Sequence, residues 1–563
     1  MRIAPSSSRG LTGLLQTDIE SRKSLREYPA QFPAQQRYAS RKAADLKKPM
    51  LSQSRPAAGK YTVFAAIGMP LLLAAALAIA AFRGYPGVAW PFIGYPGSAW
   101  PFIAFNVTFL MLLLSALPRP RCYTYTFLVI LLFLGFWSKL ITHFLAPGNN
   151  GFFVEPVGSF DHMGPHWDVA LNYATAGATG ALLARMTFVL MRLKLRSQNE
   201  PPCAVPAWYV QARITTWTVT FLAVVGLNAL NYFVAFYQIG VNPQLVLPLH
   251  LNVVTAWLIN IGFAQWIAAL VWWEHCIRTG RSALTLLAPL AEGVIATCST
   301  LSRSVGFLHV VPYLFSLIEI HGWKQLFKTR RRMAAAMGLL VLFATIIALV
   351  QVLRAQTYYG SPGVKSQFTR QAPAGEPESE TEARYAKHVR EAMISQLPLL
   401  VTQRWVGLEA VLAVSSHPHI GMELFKKALA ESPKEGQGSI YQKIAGSRYE
   451  QATGFTFLTL AGIIGFLSYA GSIAVVMLGM CAVTIAVHGI DFAAWRLTHN
   501  PFLVSVSGLA IANVLCQMNY PYLVMIFFIQ VLVALIFVWL IQTPGILRLV
   551  IREKRRTSGP PAV

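Results

Sequence analysis

The sequence predicts an all-α polytopic membrane protein, and three observations lead to that class. Hydrophobic residues make up 55% of the 563 residues and charged residues only 12%, whereas soluble domains carry about 25% charged residues. Apolar runs long enough to cross a bilayer as a helix, about twenty residues each, recur along most of the chain. Lysine and arginine collect in alternate turns between these runs, which is the pattern that orients membrane helices.

The excess of basic residues in the chain indicates contact with a membrane surface. The formal net charge is +24, but the basic residues flank apolar runs, so they indicate orientation and contact with lipid headgroups. We therefore exclude nucleic acid as a partner. Residues 1–60 carry twelve Lys and Arg against four Asp and Glu and predict a basic cytoplasmic tail. The six cysteines lie in or beside predicted spans or cytoplasmic turns and imply no disulfide framework.

Nine spans are predicted within residues 61–353, and the basic turns between them fall on the cytoplasmic side. A tandem decapeptide, GYPGVAWPFI followed by GYPGSAWPFI, suits an external interfacial turn between the first two spans. The approximate spans are 61–82, 101–117, 123–145, 169–191, 213–237, 250–273, 283–300, 305–320 and 334–353.

A long polar segment, 354–452, interrupts the spans and is predicted to be external. Loops of this length are usually functional, so we expect any chemistry to lie here. Its stretch QLPLLVTQRWVGLEAVLAV is apolar, but a span centred on Arg404 and Glu409 would cost about 2.5–3.5 kcal/mol for each charge. We therefore expect this stretch at the external membrane surface, with Trp405 and Glu409 on one helical face and Arg404 beside it.

In the remaining apolar part, 453–543, the number of spans follows from the sides of the membrane on which this part begins and ends. The basic run REKRR in the tail 544–563 should be cytoplasmic, so an odd number of spans must follow the external loop. We expect a re-entrant or interfacial piece at 454–470, followed by spans at 472–491, 501–517 and 522–542. The predicted architecture has about twelve transmembrane helices with both ends in the cytoplasm and one large helical external loop.

Two short motifs carry a resemblance to a known family. An SR dipeptide, Ser302 and Arg303, stands in a tight external turn that opens a span. The late external loop contains an Arg-Trp pair followed by an HP…G motif, formed by Arg404, Trp405, His417, Pro418 and Gly421. In this combination the chain resembles the Wzy-type polysaccharide polymerases and the O-antigen ligases over residues 61–543.

The resemblance implies a bacterial inner-membrane glycosyltransferase of GT-C-related fold. Such an enzyme polymerises oligosaccharide units linked to undecaprenyl pyrophosphate at the periplasmic face, with membrane lipids and a chain-length regulator as further partners. Members of the family hold the pyrophosphate with arginines from two external positions, which match Arg303 and Arg404. Ser302, Trp405 and Arg354 would then add substrate contacts.

The chemistry that these residues offer is consistent with glycosyl transfer. Cleavage of a glycosyl diphosphate bond develops negative charge on the leaving group, which two arginines can bind through charge-assisted, bidentate contacts. The incoming sugar hydroxyl needs a base, for which Glu409 and His417 are candidates. Glu450 is a third candidate, because YEQATG stands where the ligases carry a histidine before the next span. We expect neither a metal nor another cofactor.

Alternatives remain open at this point. An O-antigen ligase would use the same donor and transfer the glycan to lipid A core. A lipid or solute transporter would need ionisable groups at the bilayer midplane, and Glu292 in the seventh span is the best single candidate, although a lone buried Glu is more often a packing residue. A metal-dependent GT-C transferase would use an acidic residue of an early external loop, such as Asp161.

The early external loop, FDHMGPHWD, contains side chains of the types that bind metal ions. Asp161, His162, His166 and Asp168 have the right ligand types, and two histidines four residues apart share a helical face. Pro165 argues against a regular helix at this place. The spacing fixes no third ligand, so we predict no metal here.

Overall fold

The computed structural model describes residues 94–116, 122–145, 155–194, 205–241, 251–277, 284–321, 348–354, 405–446 and 458–543, together with scattered positions between these ranges. Within these ranges all regular elements are helices and no β-strand is formed. Seven of the described helices are long and apolar enough to cross a membrane. These findings confirm a helical, multi-pass membrane protein. The seven are Ala99–Ala116, Tyr123–Phe144, Arg213–Val234, Leu251–Ile277, Arg303–Ile320, Ile473–Thr498 and Pro521–Gln542.

The helices before the long loop correspond to predicted spans 2 to 8. Two of them contain a π-helical turn, at Phe133–Ser138 and at Leu258–Gly262. In chain order they are α1 Ala99–Ala116, α2 Tyr123–Leu132, α3 Lys139–Leu145, α4 Gly164–Lys194, α5 Ala207–Gln211, α6 Arg213–Val234, α7 Leu251–Trp257, α8 Phe263–Ile277, α9 Leu284–Thr300 and α10 Arg303–His321.

The helices of the loop and the C-terminal part follow. Four short helices and a 3₁₀ turn, Pro433–Gly438, come before three long ones. They are α11 Leu408–Ser415, α12 Met422–Leu429, α13 Ile440–Ala445, α14 Gly462–Ser468, α15 Ile473–Thr498, α16 Pro501–Cys516 and α17 Pro521–Gln542.

Glycines allow the long helices to approach closely. A Cβ atom on Gly180 of α4 would lie 2.0 Å from the carbonyl oxygen of Met477 in α15, and one on Gly508 of α16 would lie 2.8 Å from the backbone nitrogen of Thr124 in α2. Small residues at such crossings replace the hydrophobic driving force that is missing between helices in lipid. The α4–α15 and α2–α16 pairs therefore form the centre of the bundle.

Helix α4 begins earlier than predicted. It starts at Gly164 and has Pro165 in its first turn, where a proline costs no helical hydrogen bond. The expectation that Pro165 prevents a regular helix was therefore wrong. A Cβ atom on Gly164 would lie 2.5 Å from the carbonyl oxygen of Pro96, so this helix start also packs against the turn before α1.

The central stretch of the long loop is buried inside the protein. Residues 408–414 of α11 are all buried, and the helix packs against α4 and α14. Ala410 contacts the position of Gly465, whose missing side chain allows the two short helices to meet. The expected cost of a charge in lipid does not apply here, because Glu409 finds a buried cation, Lys139, inside the protein.

The expected re-entrant piece at 454–470 corresponds to α14, a buried helix of seven residues. At 1.5 Å per residue it is about 10 Å long and too short to cross a bilayer. A bend at Tyr469 to Ser472 separates it from α15. Residues 454–457 lie outside the described part of the chain.

Several predictions fall outside the described residues. These are the tail 1–60, the first predicted span, the tail 544–563, and the two candidate residues Arg404 and Glu450; the ninth span is described only in part. Among the described cysteines, Cys276 is disulfide-bonded, so the expectation that no disulfide forms was wrong at this residue. The remaining described cysteines, Cys122, Cys298, Cys481 and Cys516, are not disulfide-bonded.

Candidate functional site

The SR turn is a tight reversal between α9 and α10. Leu301 has a left-handed backbone with φ of +51°, which is uncommon for a residue other than glycine. Ser302 is buried, its backbone N–H donates to the carbonyl oxygen of Thr297 at 3.2 Å, and its Oγ lies 2.9 Å from Oγ of Ser304. This turn places Arg303 at the first position of α10.

Arg303 is half-buried at the positive end of a 19-residue helix. Its Nη1 donates to Oε1 of Gln351 at 2.7 Å. Arg354 follows Gln351 by three residues in the same helical stretch and is also half-buried, so the two share a helical face. The described part of the ninth predicted span therefore approaches the SR turn, with Arg354 about one turn from the partner of Arg303.

The long loop reaches the same hairpin through Trp405. The indole ring of Trp405 lies 6.0 Å from the ring of Phe307, measured between centroids, in an edge-to-face arrangement. Phe307 is four residues after Arg303, which is about one helical turn. The Arg-Trp motif thus meets the α9–α10 hairpin at Trp405, whereas Arg404, its neighbour in the chain, lies outside the described residues.

After Trp405 the loop runs over the π-helical turn of the α2–α3 span. A Cβ atom on Gly135 would lie 2.1 Å from the carbonyl oxygen of Val406, and one on Gly407 would lie 2.7 Å from the carbonyl oxygen of Gly135. Two backbones are therefore in direct contact, which only glycines permit. Val406 also contacts the position of Gly462 at the start of α14, at 3.2 Å. Isolated π-helical turns of this kind often occur at functional sites.

Glu409 forms a buried ion pair that is not among the predictions made from sequence. Its Oε2 lies 2.5 Å from Nζ of Lys139, and the two residues are 2% and 1% exposed. Its Oε1 has no hydrogen-bond partner among the described residues. Burial raises the pKa of the Glu409 carboxyl, and the Lys139 ammonium opposes that shift. A lysine inside the apolar run FLGFWSKLITHF was the signal available in the sequence.

The predicted face shared by Trp405 and Glu409 was wrong. Helix α11 begins at Leu408, with Gly407 at its N-cap, so Trp405 precedes the helix. Trp405 therefore turns to Phe307, while Glu409 turns to Lys139. The two side chains reach different parts of the bundle because the non-helical residues Trp405 to Gly407 separate Trp405 from α11.

His417 lies in the turn that ends α11. Its backbone N–H donates to the carbonyl oxygen of Val414 at 3.1 Å, and its ring lies 5.9 Å from that of His419. Burial, and then the neighbouring His419, lower the pKa of His417 below its usual value. The imidazole is therefore neutral at pH 7, as a proton acceptor must be.

The HP…G turn is tied to two other parts of the chain. Ser159 Oγ donates to the carbonyl oxygen of Ser416 at 2.9 Å, and the backbone N–H of Gly421 donates to the carbonyl oxygen of Tyr469 at 2.8 Å. These bonds attach the turn to the α3–α4 loop and to the bend before α15. The turn that carries His417 is therefore held against the bundle.

The four candidate metal ligands, in the α3–α4 loop and the first turns of α4, separate into different contacts. His166 Nδ1 lies 2.6 Å from Oδ1 of Asp161, and both side chains are exposed. Asp168 instead accepts from the hydroxyl of Tyr95 at 2.8 Å and from the backbone of Ser98. The ring of His162 stacks on Phe153. In the described part of the chain no group of three or more His, Cys, Asp or Glu residues is arranged to hold a metal ion.

Glu292 is paired with a histidine and does not act as a lone packing residue. Its Oε2 lies 2.8 Å from Nδ1 of His309, and Nε2 of His309 lies 2.7 Å from the carbonyl oxygen of Asn260. Both ionisable residues are buried. His309 is not among the residues predicted above, although a histidine in an apolar span is a signal for such a partner.

Comparison with known proteins does not identify a family or a function for this chain. No protein-family model, no curated protein and no solved structure matches this chain. The resemblance to the polymerases and ligases therefore stays a prediction, and the geometry of the described residues is the basis for the function considered next.

Proposed function

We propose that this protein is a membrane glycosyltransferase of the polysaccharide polymerase class. It would join oligosaccharide units linked to undecaprenyl pyrophosphate at the external face of a bacterial inner membrane, without a metal ion. The observation that carries the proposal is the contact between Trp405 and Phe307. This contact supports it because two motifs a hundred positions apart in the sequence, SR and RW, come to one end of the same hairpin.

In the proposed reaction Arg303 and Arg404 bind the diphosphate. The position of Arg303 at the start of α10 favours an anion, since the backbone N–H groups of a helix N-terminus point outward and its dipole is positive there. Two planar guanidinium groups can together neutralise the charge that develops on the departing diphosphate. That Arg404 lies close enough to Arg303 to bind the same diphosphate is part of the proposal.

The base that accepts the proton of the sugar hydroxyl is either Glu409 or His417. Glu409 has a raised pKa and one carboxyl oxygen without a partner among the described residues. His417 is more accessible and has a lowered pKa. The raised pKa brings Glu409 closer to the range in which a base works near neutral pH, and the lowered pKa keeps the His417 imidazole neutral and able to accept a proton. In either case the Lys139–Glu409 pair anchors the loop that carries Trp405.

The test uses the full chain in liposomes with a polyprenyl-diphosphate-linked oligosaccharide as donor. The readout is the length distribution of the glycan. We expect polymer with the unchanged protein, and at least a tenfold lower rate with Arg303→Ala or Arg404→Ala. The double variant should be little worse than either single variant, because residues that serve one step are not additive. Arg404→Lys should also be impaired, since lysine keeps the charge and loses the planar fork.

Lys434→Ala is the matched control, because Lys434 is an exposed basic residue of the same loop. Normal polymer from folded Arg303→Ala protein would contradict the proposal. Transfer of the glycan to lipid A core without elongation would favour a ligase. Loss of polymer in a chelator, restored by Mg²⁺ or Mn²⁺, would favour a metal-dependent reaction in which Asp161 participates.

A second candidate function is transport of a lipid or solute. The observation that favours it is the buried Glu292–His309 pair, because ionisable pairs inside the membrane often mark proton or substrate pathways. Flux of polyprenyl-diphosphate glycan across liposomes without any change in glycan length would support this function. Loss of that flux in Glu292→Gln protein would connect it to the pair.

A further inference from the structure

The hydrogen bonds of His309 fix how many protons the Glu292–His309 pair holds. Nε2 of His309 lies 2.7 Å from a backbone carbonyl oxygen, that of Asn260, which can only accept. Nε2 therefore carries a hydrogen. The other ring nitrogen, Nδ1, lies 2.8 Å from Oε2 of Glu292, and a hydrogen bond at this distance needs one more proton. That proton is either on Nδ1, which gives an ion pair, or on Oε2, which gives two neutral groups.

The carbonyl of Asn260 is available because of the local helix geometry. Asn260 lies in the π-helical turn Leu258–Gly262, which interrupts the regular i to i+4 bonding of the α7–α8 span. A side-chain donor can then reach a carbonyl that an unbroken α-helix would use internally. This bond holds the ring of His309 in one tautomer and directs Nδ1 toward Glu292.

We infer that Glu292 and His309 form a proton-binding site inside the membrane part of the protein. The pair shares one proton between Nδ1 and Oε2. A second proton can bind Oε1 of Glu292, which is buried and has no partner among the described residues. That step converts an imidazolium–carboxylate pair into an imidazolium beside a carboxylic acid, with a net charge of +1.

Loss of the shared proton breaks the contact between the two side chains. A neutral Nδ1 and a carboxylate oxygen both present lone pairs, so at 2.8 Å they repel each other and the contact opens. Both residues are at most 2% exposed, so water does not replace the bond without movement. Proton occupancy is thus coupled to the contact between α9 and α10.

This contact closes the hairpin that presents the SR turn. Thr300 at the end of α9 is eight residues after Glu292, and His309 is six residues after Arg303, or about 9 Å along the helix. Gly293 and Gly306 bring the two helices together in the same region, against Val310 and Thr297. The site therefore acts as a clamp on the α9–α10 hairpin, whether or not Arg303 binds a diphosphate.

Several other ionisable groups on the surrounding helices have partners of their own. Tyr313, one turn beyond His309, donates its hydroxyl hydrogen to the carbonyl oxygen of Ala264 at 3.1 Å. Glu319 bonds to Tyr123, and Glu274 pairs with Arg213 near the ends of α8 and α6. The remaining ionisable residues with described side chains on α6 to α10 and α16 are Tyr232, His275, Cys298, Arg303 and Cys516.

The test compares the pH dependence of stability in wild-type and Glu292→Gln protein. A glutamine amide can donate to Nδ1 of neutral His309, so the variant keeps the bond without the extra proton. Thermal unfolding of the purified full chain is followed from about pH 7 to pH 10, above the usual pKa of histidine. As the pH rises, the folding equilibrium constant should fall more steeply in the wild type than in the variant, by up to about tenfold for each pH unit. The reason is that the native wild type holds one proton that the unfolded chain releases.

Two further variants make the outcome decisive. Glu423→Gln, at an exposed glutamate that pairs with Lys427 at 3.3 Å, should keep the wild-type slope. If Glu292→Gln does not fold, the double variant Glu292→Leu with His309→Phe serves instead, because apolar replacement of a buried pair is usually tolerated. It should show the same shallow slope. Equal slopes in wild type and the variant that removes the proton would overturn the inference.

Discussion

At the scale of single residues, two buried pairs of ionisable side chains distinguish this bundle. Lys139 bonds to Glu409 across elements 270 positions apart, and His309 bonds to Glu292 across one hairpin. Neither pair is required for an apolar bundle to fold, since buried ion pairs contribute little net stability over apolar groups of equal size. Their presence indicates positions at which charge is needed for placement or for chemistry.

Removal of one partner of the Lys139–Glu409 pair should be strongly destabilising. Lys139→Ala leaves a carboxylate buried without a partner, and we expect a loss of about 3–5 kcal/mol. The control is Lys139→Met combined with Glu409→Leu, which should recover most of that loss because no charge remains. Denaturant unfolding of the purified protein measures both. A single variant as stable as wild type would show that the carboxyl is already neutral in the folded protein.

The histidine of the HP…G turn offers a pH-dependent prediction. If His417 is the base, activity falls as the pH drops through its folded pKa, which burial and His419 lower below the usual value of about 6.5. His419→Asn removes one cause, so the acidic limb of the rate profile should move to higher pH. Initial rates across pH measure it. An unchanged profile in His417→Gln protein would assign the proton transfer to Glu409 instead.

At the scale of elements, the π-helical turn Phe133–Ser138 and the loop before α11 form one unit. Two glycines, Gly135 and Gly407, let their backbones touch, and Lys139 immediately after the turn holds Glu409. The loop is thereby seated between α3, α4 and α14, and Trp405 is directed to α10. A short buried helix of eight residues gains its stability from this packing, because isolated helices of that length are marginal.

A side chain at position 135 should displace the loop. In Gly135→Ala the added Cβ atom would lie 2.1 Å from the carbonyl oxygen of Val406, a backbone atom that cannot turn aside. Overpacking of this kind costs about 1–3 kcal/mol. Thermal unfolding and protease cleavage within residues 405–421 should both report the change.

Gly226→Ala is the matched control for that experiment. Gly226 lies in α6 and has no atom within 4 Å of an added Cβ, so alanine should be neutral or stabilise by up to about 1 kcal/mol. Equal stability and equal protease resistance in Gly135→Ala and Gly226→Ala proteins would show that the loop does not rest on the π-helical turn.

At the scale of the whole molecule, the orientation of the helices decides which residues meet the outside. The positions of lysine and arginine predict that residues 354–452 are external and that the basic run in 544–563 is cytoplasmic. The structure adds two contacts of this loop. Trp405 meets the hairpin that carries the SR turn, and Ser159 of the α3–α4 loop bonds to the HP…G turn. We therefore expect the proposed site on the side of the membrane that the long loop occupies.

Thiol labelling of whole cells tests that orientation. In a cysteine-free background, Lys434→Cys should react with a membrane-impermeant maleimide, because Lys434 is exposed in the loop. Arg555→Cys in the C-terminal basic run should react only after the membrane is opened. Labelling of position 434 only in opened cells would place the loop in the cytoplasm and remove the basis of the proposed function.

The sequence by itself determined the class of protein, since a chain with 55% hydrophobic residues and recurrent apolar runs has few other ways to satisfy its backbone in a membrane. It also located most helices to within a few residues, because the length of a span is set by the bilayer. Only the tertiary structure decided where residues 405–421 of the loop lie and what Glu409 contacts. The cost of burying Glu409 depends on a lysine 270 positions away, and the role of Glu292 depends on a ring in the next helix and a carbonyl exposed by a π-turn. Such pairings arise from packing between distant segments, which neither composition nor periodicity encodes.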